Sequence, residues 1–314
     1  MCCFAQQVRD VSNTQIFARL SKPGSQYLVY KMNYVSDTPN AMILPLPVAQ
    51  PAVEDAVRFI ALDGYERFFD DLSLGFPALR SMRSLWDRAL PVAAAPDSAA
   101  PQLKVHEIGS FIASFVPTLE DFDRLDPQFV IPRSSWEKIP YYLDYGFAVF
   151  QLKTLAGSVH PIALEFATRW SDRIFFPTVH IHDGEVHALE DFDHTLYLQN
   201  AAWDEVVGRY QGPQEVDPGT RFVRSQSAAD RFASVERSEG ILAPEMLIHR
   251  KQVFGRQPNS DIVVPATVAP HRSVGSLDSG SILAFTSGSV LAATLAWHYH
   301  RRMKISADAP PSAT

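Results

Sequence analysis

The sequence predicts an α+β protein with largely antiparallel sheets and a helical insertion near residues 52–90. Three observations favour this class. Short β-rich runs bounded by Gly, Pro, Asn and Asp recur in both halves of the chain. Between them, one stretch repeats apolar residues at three- and four-residue spacing, as an amphipathic helix does. The strand candidates cluster instead of alternating regularly with helices, which argues against a parallel α/β sheet.

The first half of the chain begins with β-rich runs and continues with helical periodicity. Strands are expected at 16–20, 27–34 and 41–48. Pro45 and Pro47 place the third of these at a sheet edge or a strand end, because proline has no N–H to donate. Helices are expected at 52–62, 65–74 and 79–90. The Ala/Pro-rich residues 91–101 read as a linker or loop.

Strands resume after this loop. The expected strands are 103–108, 110–116, 146–153, 159–166, 174–182, 185–189 and 195–198, with a short helix at 136–143. A polar stretch rich in Pro and Gly follows at 212–226 and indicates a boundary. The expected division is therefore a main domain at 1–211, a linker and helix at 212–240, and a small C-terminal region at 241–314.

Composition excludes several classes of protein. The 314 residues are 46% apolar and 20% charged, which is ordinary for a globular protein and unlike a disordered, collagen-like or multi-span membrane chain. The net charge of −7 argues against general nucleic-acid binding. Cys2 and Cys3 are the only cysteines, so no disulfide framework is expected.

The two ends of the chain bear on localisation. The N-terminus lacks the basic and apolar regions of a secretory signal, so a cytoplasmic location is expected. Residues 279–297 carry no charge and are followed by Arg301, Arg302 and Lys304. This length and its basic flank fit a membrane anchor, but the many Ser and Thr residues make the segment only mildly apolar and favour a buried C-terminal helix or strand pair.

The densest chemistry lies at residues 177–188. Asp183-Gly184 between two alternating runs predicts a β-hairpin with a type I′ turn. Strand alternation then places Val179, Ile181, Val186 and Ala188 on a core face. The other face collects the chemically active side chains, which are His180, His182, Glu185 and His187.

This second face predicts a metal site. Opposite Cβ atoms in a hairpin lie about 4.5–5.5 Å apart, so three imidazoles and a carboxylate can converge on one ion. Such ligands suit Zn, Cu, Fe or Mn. The surrounding acidic stretch is expected to favour cations and to raise histidine pKa values. His194 is a further candidate ligand. The alternative is that this face is an ordinary solvated surface.

The His-x-His and the Glu that follows resemble the metal motif of cupins. Here Glu185 follows His182 more closely than the cupin pattern has it, and His187 comes sooner than the last cupin histidine. The resemblance covers about eight residues of 177–188. If the metal site itself is catalytic, an open coordination position would activate water or dioxygen for metal-assisted hydrolysis or oxidation.

The N-terminal Met-Cys is similar to that of bile-salt hydrolases and related N-terminal-nucleophile amidases. In those enzymes an aromatic-Gly-Arg follows the cysteine by about fifteen residues, and Phe17-Ala18-Arg19 stands in that place here. The resemblance implies that Cys2 is a nucleophile with its own α-amino group as base, and that Arg19 contacts substrate.

At the level of the whole chain, the Met-Cys-Cys-Phe start, residues 44–47 and residues 176–180 resemble an uncharacterised bacterial family without an assigned activity. Three hypotheses therefore remain open. They are a metal-dependent hydrolase or oxidase, a Cys2 amidohydrolase, and a non-enzymatic structural or interaction protein tethered to a membrane by 279–297. No substrate and no oligomeric state is predicted.

Overall fold

A computed structural model describes residues 3–76, 103–108, 111–158, 160–210, 216–217 and 219–268. All of them belong to one compact unit, Met1–Ala269. The predicted helix at 79–90, the linker at 91–101, Cys2 and the apolar segment 279–297 lie outside the described residues. None of the helices within the described ranges is long and apolar enough to cross a membrane.

The described residues are built mainly from strands. In chain order these are β1 (Cys3–Phe4), β2 (Val8–Lys22), β3 (Ser25–Ser36), β4 (Asn40–Leu46), β5 (Val57–Ile60), β6 (Val105–Ile108), β7 (Phe111–Val116), β8 (Gly146–Leu152), β9 (Ala156–Ser158), β10 (Ile162–Ala167), β11 (Arg173–Phe176), β12 (Leu189–Leu198), β13 (Val223–Arg224), β14 (His249–Pro258) and β15 (Ile262–Pro265). The α-helices are α1 (Phe68–Leu74), α2 (Arg133–Trp136) and α3 (Ala201–Asp204). Single 3₁₀ turns occupy Glu120–Arg124, Pro127–Phe129, Pro140–Tyr142, Ala229–Arg231 and Glu236–Ser238.

The strands form two large sheets and one small one. The larger sheet has the order β13-β14-β12-β2-β3-β10-β5, with β9 added to β3. The second has the order β1-β4-β8-β7-β6, and β11 pairs with β15 alone. Antiparallel pairs predominate, while β12 runs parallel to β2. The predicted antiparallel sheets are therefore confirmed, and the fold is mainly β.

Both faces of the central part of the larger sheet are buried, where Ile16–Ala18 of β2 lie beside Leu28–Tyr30 of β3. Ile16 and Leu28 face the second sheet within one large apolar cluster. Their neighbours Phe17 and Val29 point to the opposite face, where they pack with α1 and Ile241. Strands buried on both sides do not show the alternation of a half-exposed sheet.

The helical insertion is smaller than predicted. Residues 57–60 form β5, which pairs antiparallel with β10, so the expected helix at 52–62 is wrong. The competing signal was the run Val57–Ile60, whose ends are buried while Arg58 is exposed, as in a strand at a sheet edge. The second expected helix is confirmed over Phe68–Leu74, where Phe68, Phe69 and Leu72 are buried.

The C-terminal strands complete the larger sheet. β14 pairs with β12 along all of its residues, from Leu189↔Pro258 to Leu198↔His249. Residues after the predicted boundary at 212–226 thus share a sheet and an apolar core with residues before it. A polar, Pro-rich stretch indicates a surface loop, yet the described residues of this stretch include β13, which pairs with β14 in the larger sheet.

Candidate functional site

Residues 177–188 do not form the predicted hairpin. Ile181 makes a parallel bridge to Cys3, and 185–188 are irregular. A type I′ turn needs positive φ at both central residues, but among these two only Gly184 has it, at 83°. Asp183 Oδ1 instead accepts the Glu185 N–H at 3.0 Å, which makes a side-chain turn.

Asn259, directly after β14, takes the place of a pairing strand. Its Oδ1 accepts the His180 N–H at 2.7 Å. Its Nδ2 donates to the carbonyls of His180 and His187, both at 3.0 Å. The same side chain therefore satisfies main-chain groups at both ends of the segment. The sequence contains no local signal for this long-range contact.

The structure brings three of the predicted ligands together as a stack, called here the histidine cluster: His180, His182 and His194. The His180 ring lies 5.2 Å from His182 and 5.3 Å from His194, with interplanar angles of 16° and 8°. Phe192 stacks on His180 at 4.4 Å. His180 and His194 are fully buried. Ring nitrogens point outward in the ring plane, so near-parallel stacked imidazoles do not converge on one ion.

Glu185 and His187 lie apart from this stack and have other partners. Glu185 forms an ion pair with Lys138. His187 Nε2 lies 3.0 Å from Asp183 Oδ2. Among the described residues, no group of three His, Cys, Asp or Glu side chains is placed to hold one metal ion. The expected convergence of three imidazoles and a carboxylate across a hairpin is therefore not present.

Burial, and not the acidic surroundings, sets the protonation of the histidine cluster. Desolvation by burial is the largest cause that lowers the pKa of His180 and of His194 far below the ordinary range, and it lowers that of His182 to about 4. The expected increase in histidine pKa is wrong for these three. It occurs only at exposed His187, whose pKa the Asp183 hydrogen bond raises.

Two histidines of the cluster have buried nitrogens without hydrogen bonds. Nδ1 and Nε2 of His180 and Nε2 of His182 have no partner among the described residues. His182 and His187 also line a pocket of about 280 Å³ together with Asp183, Glu190 and Asp191. Buried polar groups are normally paired, so these nitrogens mark an unusual site.

The structure also places one residue of the amidase hypothesis. Arg19 donates from Nε to the Ile241 carbonyl and from Nη2 to the Gly240 carbonyl, both at 2.7 Å, and lies 5.1 Å over the Tyr27 ring. These contacts fasten β2 to the turn at 240–241. Its role toward a substrate, and that of Cys2, stay predictions.

A second region, which the sequence did not reveal, lies along the outer edge of β14. β13 pairs with β14 only at Val223↔Arg250 and Arg224↔His249. Arg221, with φ 63°, then turns the chain away. Within the described part of the chain, no strand pairs with this side of residues 251–258, called here the open edge.

A groove of about 540 Å³ follows the open edge and is called here the basic groove. Its lining includes Phe192, Tyr210, Val216, Arg221, Val223, Arg250, Lys251, Gln252, Val253, Phe254, Gln257, Pro258, Ser260 and Ile262. Consecutive β14 residues take part, so the groove runs beside the strand and meets both of its faces. Its charged residues are Arg221, Arg250 and Lys251, and no described acid forms an ion pair with them.

Comparisons with known proteins give only distant likenesses. No family model and no curated protein matches the chain. The crystal structure of baculovirus p35 is 11% identical with a TM-score of 0.45, over 85% of this chain and all of that one. A mutated baculovirus p35 after caspase cleavage is 13% identical with a TM-score of 0.40, over 82% of this chain and 100% of that one. A caspase-8/p35 complex is 10% identical with a TM-score of 0.38, over 81% of this chain and 96% of that one. Such values establish neither a shared fold nor a shared activity.

Proposed function

We propose that this protein is an interaction protein that binds an extended segment of a partner along the open edge of β14. The observation that carries the proposal is a strand of ten residues that is paired along one side throughout, while on the other side the described strands pair with it only at His249 and Arg250. An exposed strand edge presents main-chain donors and acceptors to any extended chain. Peptide recognition by strand addition uses such edges.

The direction of the main-chain groups can be inferred from the hydrogen bonds of the neighbouring strand. The Ser225 N–H donates to the Ile248 carbonyl at 2.7 Å, so Ile248 points toward β13. Main-chain groups of a strand alternate between its two sides. Gln252 and Phe254 therefore point their N–H and C=O groups into the groove. The Gln257 amide donates to the Phe254 carbonyl at 3.1 Å, which agrees with this direction.

Native proteins usually protect an exposed edge with a bulge, a proline or an inward-pointing charge. The register between β12 and β14 is continuous from end to end, but Gly255, with φ 72°, departs from extended backbone, so the regular part of the open edge is residues 251–254. Phe254 is 54% exposed beside it. An edge with an apolar side chain and an adjoining groove is suited to a partner strand.

Selection from a displayed library of short random linear peptides, with the full-length protein as bait, tests the proposal. Enriched peptides are then titrated against two variants. Gln252→Pro removes a main-chain donor that points into the groove, while Gln252→Ala changes the same side chain and keeps the donor. We expect binding to be lost in Gln252→Pro and kept in Gln252→Ala. Failure to enrich any peptide, or equal binding by both variants, would overturn the proposal.

A second candidate function keeps the predicted transition metal, Zn, Cu, Fe or Mn. It is favoured by the two histidines and three carboxylates around the 280 Å³ pocket and by the unpartnered nitrogens of the histidine cluster. Binding would require the rings to leave their stack. We expect metal copurified without chelator to be lost in His182→Ala and kept in His106→Ala. Metal-free protein that takes up neither Zn²⁺ nor Cu²⁺ would exclude this candidate.

A further inference from the structure

We infer that the partner segment is acidic, with a carboxylate side chain held between Arg221 and Lys251 in the basic groove. This inference rests on the proposed strand addition and specifies the chemistry of the occupant. It follows from the groove's charge, from the way its cations are held, and from the geometry of a strand added at this edge.

The groove concentrates positive charge in an acidic protein. The chain carries 35 Asp and Glu against 28 Lys and Arg, so a cation has many internal partners to choose from. Arg9, Arg58 and Arg169 each form such ion pairs. Within the described residues, Arg221, Arg250 and Lys251 form none, although all three line one groove.

Arg221 and Lys251 lie close enough to repel each other. The pKa of Lys251 is lowered, first by burial and then by the charge of Arg221. Two cations in one partly buried place are destabilising by themselves, and an anion between them removes the repulsion. The arrangement therefore favours a negatively charged occupant.

Aromatic rings hold the cations in place where acids usually would. The Arg250 guanidinium lies 4.2 Å from the Phe76 ring centroid and 5.0 Å from that of Tyr210. Lys251 Nζ lies 5.8 Å from the Phe222 ring centroid. Cation–π contacts orient these groups but leave their N–H donors free for an acceptor. Arg250 Nε is buried and has no hydrogen-bond acceptor among the described residues.

The strand geometry fixes where acidic side chains would lie. In the pairing of β14 with β12, Lys251 lies opposite Leu196 and Arg250 lies opposite Tyr197. Because successive side chains of a strand point to opposite faces, the two cations lie on opposite faces of the sheet. A strand added to β14 also alternates its side chains between the faces. Of two adjacent acidic residues in the partner strand, one would therefore point toward Arg250 and the other toward Lys251. A carboxylate on the side of Lys251 meets Arg221 as well.

A nucleic acid is the other polyanion that a basic groove can attract. The open edge offers main-chain N–H and C=O groups in strand register, which an extended peptide satisfies and a phosphodiester backbone does not. The overall charge of −7 also opposes a long polyanion. An acidic peptide is therefore the occupant that fits both the edge and the charge.

The peptides enriched in the selection above supply the probe. Each acidic peptide is titrated beside its twin, in which Asn and Gln replace Asp and Glu, against the full-length protein and against Arg221→Gln/Lys251→Gln. We expect the acidic peptide to bind the wild type about tenfold more tightly than its twin, and the double variant to remove this preference. Arg9→Gln/Lys22→Gln has the same charge change at exposed positions of β2 and should keep it.

The outcomes separate the two proposals. Peptides that need the Gln252 N–H but bind equally with or without acids would overturn the acidic partner and leave strand addition intact. No peptide binding at all would overturn both. Dimers abolished by Gln252→Pro would assign the edge to a second copy of this chain. An oligothymidylate that displaces the peptides through Arg221 and Lys251 would assign the groove to nucleic acid. Either result would overturn the acidic peptide.

Discussion

The histidine cluster and the basic groove are two polar regions that meet at Phe192 and differ in how they accommodate ionisable side chains. Phe192 stacks on His180 and also lines the groove. In the cluster, ionisable rings are enclosed and stay neutral, since burial lowers their pKa values. In the groove, the Arg250 guanidinium and the Lys251 ammonium lie over aromatic rings instead of against acids.

This contrast shows which region is suited to a partner. A neutral, enclosed ring stack is completed by its own neighbours, apart from a few unpaired nitrogens. The groove has positive charge that no described acid neutralises, and beside it lies a strand edge with which no described strand pairs. Both deficits are of a kind that a second molecule can satisfy.

Acid provides the largest test of the contrast, because it charges the cluster and leaves the groove unchanged. The three histidines of the cluster have folded-state pKa values below the unfolded value of about 6.5, so the unfolded state binds more protons as pH falls. Burial also lowers the pKa of His249, which acts in the same direction. Asp261, whose pKa burial raises to about 6, acts in the opposite direction. We expect about 4 kcal/mol of stability to be lost between about pH 6.5 and about pH 5, measured by urea unfolding.

The contribution of a single ring can be isolated in His180→Phe. The phenyl ring keeps the stack but does not titrate, so the loss over this pH interval should decrease by about 1.5 kcal/mol, whatever constant cost the larger ring adds. An unchanged pH dependence would mean that His180 is not held neutral in the folded protein.

Removal of the Asn259 side chain should open the cluster and have a smaller effect. Asn259→Ala leaves the His180 N–H and two carbonyls without their partner. Partly buried main-chain groups that lose hydrogen bonds cost about 2–3 kcal/mol together. The measurement is urea unfolding at neutral pH.

Asn33→Ala, in β3, is the matched control, because no side-chain hydrogen bond of Asn33 occurs among the described contacts. We expect it to change stability by less than about 1 kcal/mol. Equal effects of the two substitutions would show that Asn259 does not hold the segment 180–187 in place.

The smallest effect is expected in the groove. Arg221→Gln removes a charge that repels Lys251, so stability should rise by up to about 0.5 kcal/mol at low salt and the rise should vanish at high salt. Unfolding at the two salt concentrations measures it. Arg9→Gln breaks an exposed ion pair with Asp37 and should not stabilise the protein. A clear loss of stability in Arg221→Gln would indicate a structural role.

Local sequence patterns predicted the strands and parts of the site. The apolar runs at 27–34 and 41–48 fall within β3 and around β4, because β-branched and aromatic residues between turn formers suit a buried sheet. Alternation also placed Val179 and Ile181 correctly in the core, where both are at most 2% exposed, whereas Val186 is half-buried and Ala188 is exposed. An extended chain alternates its side chains whether or not it forms a hairpin.

Long-range contacts account for what the sequence did not predict. The Asp183-Gly184 hairpin competes with Asn259, which is distant in sequence and satisfies the same main-chain groups. The basic groove joins Arg221 to Lys251 through the pairing of β13 with β14. Neither residue belongs to a motif, and whether a cation has an acidic partner depends on the fold, so no local pattern in the sequence pointed to the groove.

The parallel pairing of β2 with β12 constrains the order of events during synthesis. Residues Thr14–Ala18 of β2 cannot pair with their second neighbouring strand, β12, until His194–Leu198 have been synthesised. β14, which pairs with β12, is synthesised later still. Contacts so distant along the chain form slowly because a long loop must close first. A nascent chain can join β2 to β3, yet it carries an unsatisfied edge of β2 until well over half of the protein has left the ribosome.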